Sequence, residues 1–188
     1  SWGMWRFAGL EMSAARAAID AAFEAGITLF DTADIYGLGE THFGAAEELL
    51  GRVFADALGM RDRMVLATKA GITPPTPYNS SAEYLAGAID NSLQRLQTDR
   101  IDLWQIHRPD ILTHPQEIAR AVEDAHKAGK IRAFGVSNFT QAQTTTLAQF
   151  SNVPIVSTQP ELSPLCINTI ENGELDQAIA MDLAVLAW

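Results

Sequence analysis

Three short apolar runs in this chain each end in a charged or ionisable residue. They are Ile27–Phe30 before Asp31, Met64–Thr68 before Lys69, and Ile101–Ile106 before His107. Asp31 and Lys69 are 38 residues apart, as are Lys69 and His107. This spacing suits a strand, a crossover helix and two loops, a unit of roughly 30 or more residues. Parallel strands connected in this way end at the same side of their sheet, so the pattern predicts that the three polar side chains lie near one another.

The rest of the chain continues this alternation of apolar runs and helical patterns. Strands are predicted over Ser1–Trp5, Ile27–Asp31, Met64–Lys69, Ile101–Ile106, Ile131–Val136, Pro154–Thr158 and Leu183–Ala187. Helices are predicted over Ser13–Ala25 and His42–Leu58, from a capping box at Ser80–Glu83 to Leu96, from a capping box at Thr113–Gln116 to Gly129, after Thr140, and near Gly173–Met181.

Two architectures share this alternation, a doubly wound open sheet and a barrel of parallel strands. Polar candidates follow nearly every predicted strand, which favours the barrel, because its chemistry gathers at the C-terminal strand ends. We therefore predict an α/β fold, a (β/α)8 TIM barrel, with residues 1–188 as a single domain that holds about seven of the eight strands. Both chain ends fall inside predicted strands, so we expect a trimmed N-terminus, a missing C-terminal part and no direct pairing of the first and seventh strands.

Composition narrows the classes of partner. The formal net charge is −10, from 13 basic and 23 acidic residues, which argues against nucleic acid and against an anionic membrane surface. No apolar run approaches the ~18 residues of a membrane span. Cys166 is the only cysteine, so an intrachain disulfide is impossible and a reducing, cytoplasmic location is expected. The oligomeric state stays open.

The polar strand ends carry a recognisable chemistry. A Lys at the end of a buried strand is costly unless it is paired, and Asp31 is the natural partner of Lys69. Tyr36 follows Asp31 by five residues. A phenol ionises only near pH 10, and a neighbouring ammonium favours its ionised form, so Lys69 would ease proton transfer by Tyr36. His107 could donate a hydrogen bond to a substrate oxygen. A structural ion pair between Asp31 and Lys69 is the simpler alternative.

Later strand ends add a second set of polar and aromatic side chains. Ser137 and Asn138 follow the fifth strand, Gln159 the sixth and Trp188 the seventh. Together they could hold a planar ring that bears a carboxamide, with Trp188 stacked on the ring. The alternatives are a helix N-cap at Ser137 and Asn138 and a core position for Trp188. No metal site is predicted, because the other histidines lack ligand spacing.

Five ordered motifs resemble those of the aldo-keto reductase superfamily, in particular a microbial subgroup of NADP-dependent oxidoreductases. The motifs are Phe30–Gly37, Ala67–Lys69, Ile106–Asp110, Gly135–Phe139 and Gln159–Pro164. The resemblance covers the whole chain and implies a (β/α)8 barrel that binds NADPH across its mouth without a Rossmann motif. It also implies that Asp31, Tyr36, Lys69 and His107 form a catalytic tetrad.

The resemblance further implies the cofactor and substrate contacts. Ser137, Asn138 and Gln159 would hold the nicotinamide amide, and Trp188 would stack on the ring. Gly3, Met4 and Trp5 match the first strand end, with Gly3 and Met4 against the cofactor and Trp5 in the substrate pocket. The family's eighth strand, which supplies contacts to the adenosine 2′-phosphate, lies outside this chain, so NADH stays open as an alternative to NADPH.

The predicted function is therefore reduction of aldehydes or ketones to alcohols by hydride transfer from NADPH. Tyr36, activated by Lys69 and Asp31, would be the general acid, and His107 would orient the carbonyl of a small-molecule substrate. Two alternatives remain. One is a non-catalytic nicotinamide-binding subunit that senses redox state. The other is a Schiff-base aldolase with Lys69 as nucleophile, which a Lys held charged by Asp31 disfavours.

Overall fold

The backbone forms one parallel sheet that curls into an incomplete barrel. The computed structural model describes residues 1–188. The strands are β1 (Trp2–Gly3), β2 (Leu29–Asp31), β3 (Val65–Ala70), β4 (Ile101–Ile106), β5 (Ile131–Ser137), β6 (Ile155–Gln159) and β7 (Ala184–Val185). Their order in the sheet is their order in the chain, and β1 and β7 each have a single neighbour. The predicted seven strands, and the absence of direct pairing between the first and the last, are confirmed.

Helices connect the strands, as a parallel sheet requires. They are α1 (Met12–Glu24), α2 (Ala45–Asp56), α3 (Ala82–Leu96), α4 (Pro115–Lys127), α5 (Gln141–Phe150), α6 (Asn168–Glu171) and α7 (Glu174–Ala180). The sequence patterns predicted all of them except the four-residue α6, which is too short to show a helical period. None of the helices combines the length and apolar content needed to cross a membrane.

Two predicted boundaries are wrong, one at the end of the first strand and one at the start of the second helix. Strand β1 ends at Gly3, and Trp5–Phe7 forms a single helical turn instead of extending the strand. Helix α2 begins at Ala45 and not at His42, because Gly44 precedes it with a left-handed φ of 90°. Only glycine adopts that conformation without steric cost, so Gly44 marks the boundary.

The capping box predicted at Ser80–Glu83 is wrong by one residue. Ser81 is the N-cap of α3, and its side chain accepts a hydrogen bond from the backbone N–H of Tyr84. Tyr84 therefore occupies the position where a Glu or Gln would complete a capping box. Two adjacent serines made the register ambiguous in the sequence.

The capping box predicted at Thr113–Gln116 is also wrong. His114 caps α4, with its ring Nδ1 accepting from the backbone N–H of Gln116, while the Thr113 hydroxyl bonds to Asp110 instead. The start of α5 behaves as the sequence predicts, because Thr140–Gln143 forms a reciprocal capping box.

The hydrophobic core lies between the sheet and the surrounding helices. It is a cluster of 35 buried residues that runs from Met4 to Leu183. Alternation along each strand sends one set of side chains outward to the helices and the other into the barrel. On β4, Trp104 points outward and stacks on Phe134 of β5. The next residue, Gln105, therefore points inward, where the polar side chains collect.

Candidate active site

Lys69 lies at the centre of the polar cluster inside the barrel. Its side chain is 2% exposed, and its Nζ donates to Asp31 Oδ2 at 2.7 Å and to the backbone carbonyl of Thr32 at 2.8 Å. The third N–H of the ammonium points to the Tyr36 hydroxyl, and the distance between Nζ and Oη is 3.4 Å. All three N–H groups thus have a partner, which satisfies a buried cation. The predicted pairing of Asp31 with Lys69 is confirmed.

Tyr36 is held at the mouth of the barrel by its backbone and its ring. It lies in the turns that follow β2, where its carbonyl accepts from the N–H of Ala46 at 3.2 Å. Its ring stacks on Trp5 with centroids 5.9 Å apart, and meets the His107 ring edge-on at 5.8 Å. These contacts orient the hydroxyl of Tyr36 between the Lys69 ammonium and the open end of the barrel.

His107 is an uncharged imidazole beside the Tyr36 ring. Burial, together with the charges of Lys69 and Arg108, lowers the pKa of His107 to about 3. Nδ1 is buried without a hydrogen-bond partner. A buried N–H at Nδ1 without an acceptor would cost more free energy than a buried lone pair there. The favoured tautomer of His107 therefore carries its proton on Nε2. His107 can therefore donate one hydrogen bond into the cavity without adding a charge.

A cavity of about 400 Å³ opens at this end of the barrel. It is lined by Ser1, Gly3, Trp5, Leu29, Asp31, Tyr36, Lys69, His107, Arg108, Ser137, Asn138, Gln159, Leu186, Ala187 and Trp188. Ten of the eleven residues predicted for the site line this one space. Met4 does not, because its side chain is buried in the core and its N–H donates to the Asp31 carbonyl at 2.8 Å.

One wall of the cavity carries a hydrogen-bonded group of side chains from β5 and β6. Ser137 Oγ donates to the backbone carbonyl of Gln159 at 2.9 Å. Asn138 Nδ2 donates to the backbone carbonyl of His107 at 3.0 Å and to Ser137 Oγ at 2.9 Å. These bonds occupy both N–H groups of the Asn138 amide and leave its Oδ1 without a partner. The N-cap alternative for this pair is wrong, because Thr140 caps α5.

Trp188 and Arg108 form the rim of the cavity. Trp188 is 45% exposed, and the Arg108 guanidinium lies 5.8 Å from its ring. Trp188 is therefore not a core residue, and one aromatic surface is open to the cavity. Sequence reasoning missed Arg108 as a site residue. Its position directly after a predicted site histidine was the available signal.

Two buried polar residues of the barrel interior were also missed. Gln105 and Ser157 are fully or almost fully buried, and Ser157 Oγ donates to Gln105 Oε1 at 3.2 Å. Gln105 Nε2 in turn donates to Gln159 Oε1 at 2.9 Å. Both residues stand inside runs that otherwise read as apolar strands. A buried amide in such a run needs polar partners, which is a signal that the sequence contained.

A further polar cluster lies behind the site, between the sheet and α2 and α3. Glu47 is fully buried and accepts from the Thr68 hydroxyl at 2.6 Å and from Arg95 Nε at 2.7 Å. Asp34 is buried nearby, and its desolvation together with the Glu47 charge raises the pKa of Asp34 to about 8. The sequence patterns predicted no site role for Glu47 or Asp34.

Comparison with known proteins identifies the family of this chain. The model of the aldo/keto reductase family matches residues 1–188. This chain belongs to the aldo/keto reductase family. It is 56% identical to a 6-dehydroglucose reductase of Novosphingobium aromaticivorans, an alignment that covers 100% of this chain and 63% of the relative. A 6-dehydroglucose reductase of Agrobacterium fabrum is 34% identical, over 100% of this chain and 65% of its own length.

Solved structures agree on the fold of this aldo/keto reductase chain. The glycerol dehydrogenase from Gluconobacter oxydans superposes with a TM-score of 0.85 at 32% identity, over 98% of this chain and 57% of that chain. A thermostable aldo-keto reductase solved with the inhibitor epalrestat superposes with a TM-score of 0.86 at 26% identity, over 100% and 66%. The chain thus spans slightly less than two thirds of the proteins it resembles, and the predicted barrel class is confirmed.

Proposed function

We propose that the protein reduces an aldehyde or ketone to an alcohol with NADPH as the reductant. The observation that carries this proposal is the position of the Lys69 ammonium, which is bound by Asp31 and Thr32 and directed at the Tyr36 hydroxyl at the cavity. A fixed ammonium next to a phenol oxygen stabilises the negative charge that develops on that oxygen as its proton is transferred. Tyr36 is therefore the general acid of the proposed reaction.

The residues around Tyr36 have complementary tasks. Tyr36 Oη gives its proton to the carbonyl oxygen, and the Lys69 ammonium stabilises the phenolate that remains. His107, neutral at working pH, orients the same oxygen with its Nε2–H. Asp31 keeps the ammonium in place. The aldolase alternative needs a free amine at Lys69 for Schiff-base chemistry. The Lys69 ammonium is bound by Asp31 and by the Thr32 carbonyl, which argues against that alternative.

The residues present fit a nicotinamide cofactor. Asn138 Oδ1 lines the cavity without a partner and suits the N–H of a carboxamide, while Trp188 offers an open ring surface. When bound, the reduced nicotinamide supplies the hydride that the carbonyl carbon accepts. We propose Ser137, Asn138, Gln159 and Trp188 as its holders, with Gly3 on the opposite wall and Trp5 against the substrate.

A sugar aldehyde is the first substrate to test. The relative at 56% identity is a 6-dehydroglucose reductase, and the cavity combines aromatic walls with a guanidinium and amides that can bind hydroxyl groups. We therefore propose polyhydroxylated aldehydes as the substrate class. The assay follows NADPH oxidation by the natural full-length polypeptide with 6-dehydroglucose, with a panel of simple aldehydes, and with NADH in place of NADPH.

The decisive variant is Tyr36→Phe, which keeps the ring and removes the proton donor. General acid catalysis contributes about 10²–10⁴-fold, so kcat should fall by at least about 10² while NADPH binding, followed by fluorescence, stays near the wild-type value. Tyr78→Phe, at a half-exposed loop tyrosine, is the matched control and should not change kcat. Wild-type turnover by Tyr36→Phe would refute the role of Tyr36, and NADPH binding without turnover by the wild type would favour a redox sensor.

A further inference from the structure

A row of inward-facing residues crosses four adjacent strands at the level of Lys69. Lys69 on β3 pairs in register with Gln105 on β4, Gln105 with Gly135 on β5, and Gly135 with Ser157 on β6. In a parallel sheet such residues point to the same face. The row therefore places two buried polar side chains, Gln105 and Ser157, inside the barrel at the same level as Lys69.

Gly135 lets these two side chains meet. A Cβ at Gly135 would lie 2.0 Å from Ser157 Oγ and 3.3 Å from Gln105 Cγ. The hydrogen bond from Ser157 to Gln105 thus passes through the space that a side chain at Gly135 would fill. A glycine at this position is explained by the polar contact above it, because the backbone φ of Gly135 is not in the left-handed region.

From Gln105 the hydrogen bonds continue to the catalytic ammonium. Gln105 Nε2 donates to Gln159 Oε1 at 2.9 Å, and Gln159 Nε2 donates across the barrel to Asp31 Oδ2 at 2.8 Å. The same Asp31 oxygen accepts from Lys69 Nζ at 2.7 Å. We call this series of residues, Ser157, Gln105, Gln159 and Asp31, the amide relay.

The direction of every bond in the amide relay follows from Asp31. An ionised carboxylate only accepts, so the Gln159 NH2 group must face Asp31 and its carbonyl must face the other way. That carbonyl needs a donor, which Gln105 provides with its own NH2 group. Gln105 Oε1 then needs a donor in its turn, and Ser157 supplies one. A change from donor to acceptor at Gln105 would therefore oppose the orientation of Gln159.

We propose that Gln105 is a positioning residue of the active site, which acts through Gln159 to hold the Asp31 carboxylate and with it the Lys69 ammonium. The inference rests on the proposed function of the tetrad and deepens it. Gln105 does not line the cavity, so it would act through Gln159 and not by contact with substrate or cofactor. Gln105 keeps the Gln159 side-chain amide in the orientation in which its NH2 group donates to Asp31, so that Asp31 has a donor besides Lys69.

The test is the variant Gln105→Glu, which has the same shape but a carboxyl group that titrates. When protonated, the introduced carboxyl can donate to Gln159 Oε1 and restore the relay. When ionised, it only accepts, and the Gln159 NH2 group is drawn away from Asp31. Burial raises the pKa of such a carboxyl above that of a free Glu. The kcat ratio of this variant to the wild type should therefore be near one at about pH 5.5 and fall at least about tenfold by about pH 8.5, since small misplacements cost up to ~10² in rate.

Two further variants separate positioning from a merely structural role. Gln105→Met removes the amide without adding a titrating group, so its kcat ratio to the wild type should be lowered and independent of pH. Gln149→Glu adds the same carboxyl on the exposed face of α5 and should leave the ratio near one at every pH. A kcat ratio of Gln105→Glu that stays constant across the range overturns the proposal, whatever its value.

A second readout does not depend on turnover. In protein labelled with ¹⁵N-glutamine, the Gln159 side-chain NH2 signals of Gln105→Glu should shift with pH, and those of Gln105→Met should not. If the wild type reduces no carbonyl, the proposed function is wrong. The Gln159 NH2 signals would then still show whether Gln105 controls the orientation of the Gln159 amide. If the Gln159 signals of Gln105→Glu do not change with pH, the proposed positioning role of Gln105 is wrong, whatever the kinetic result.

Discussion

Lys69 is the residue on which the proposed chemistry of the site depends. Replacing it by Met removes the cation whose Nζ lies 3.4 Å from the Tyr36 hydroxyl, so reduction should fall by about 10² or more. Measured kcat of Lys69→Met checks this, with Lys127→Met on the exposed face of α4 as the control. A rate within a few-fold of wild type would mean that Lys69 is structural.

Lys69→Met also leaves the buried Asp31 carboxylate without its counter-ion, and breaking a buried pair in this way costs about 3–5 kcal/mol. The double variant Asp31→Asn with Lys69→Met removes that uncompensated charge. It should recover most of the free energy of unfolding but none of the activity. Recovery of both would contradict the proposed role of the pair.

A second prediction at the scale of a single residue concerns the protonation state of His107. Because burial and two nearby cations lower the pKa of His107 to about 3, the ring should stay neutral from about pH 5 to pH 8. A titration of the His107 ring signals by NMR should be flat over this range, and the reduction rate should show no step near the ordinary His value of about 6.5. A midpoint near 6.5 would show that the ring gains a proton within this range and would contradict the lowered pKa.

At the level of elements, helices α2 and α3 approach each other closely at Gly51. A Cβ at Gly51 of α2 would lie 2.2 Å from the backbone carbonyl of Arg95 and 2.9 Å from the carbonyl carbon of Leu96. These are backbone atoms, so the helices would have to separate. Gly51→Ala should therefore destabilise the protein by about 1–3 kcal/mol, as measured by urea unfolding.

Gly87 on the exposed side of α3 is the matched control. Nothing lies within 4 Å of a Cβ at Gly87, and a helical Gly costs about 0.5–1 kcal/mol relative to Ala. Gly87→Ala should therefore stabilise the protein while Gly51→Ala destabilises it. The same sign for both substitutions would contradict the close approach of the two helices.

For the whole molecule, two buried groups give opposite pH dependences of stability. Native Asp34, with its pKa raised to about 8, keeps a proton that the unfolded chain has lost above about pH 4, so its contribution decreases as pH rises to 8. Native His107 binds fewer protons than the unfolded chain between about pH 3 and 6.5, so its contribution decreases as pH falls. The two effects oppose each other between pH 4 and 6.5, and Asp34 acts alone above that range.

Asp34→Asn isolates this effect. The free energy of unfolding of the variant relative to wild type should rise with pH between about 4 and 8, by up to about 1.4 kcal/mol per pH unit. Urea unfolding at several pH values measures it. A difference between the two proteins that does not change with pH would show that Asp34 is ionised in the native state.

The sequence by itself determined the order of the strands, the helices between them and the gathering of Asp31, Lys69 and His107. These follow from local rules, because apolar runs of strand length, helical periods and cap residues act over a few positions. The predicted boundary at His42 was wrong because Gly44 sets the start of α2, and the one at Ser80 was wrong because the second of two adjacent serines is the N-cap of α3.

Only the tertiary structure decided which further polar residues are buried, both inside the barrel and behind the sheet. Gln105, Ser157, Asp34 and Glu47 stand in segments that read as ordinary strand, loop or helix, and their partners lie 21 to 54 residues away in the chain. The cofactor contact that the family resemblance implied for Met4 stays a prediction, and only packing decided that the Met4 side chain lies in the core. The physical reason is the same in both cases. Local sequence specifies which element forms, whereas the face of that element and its neighbours across the barrel depend on how all the strands come together.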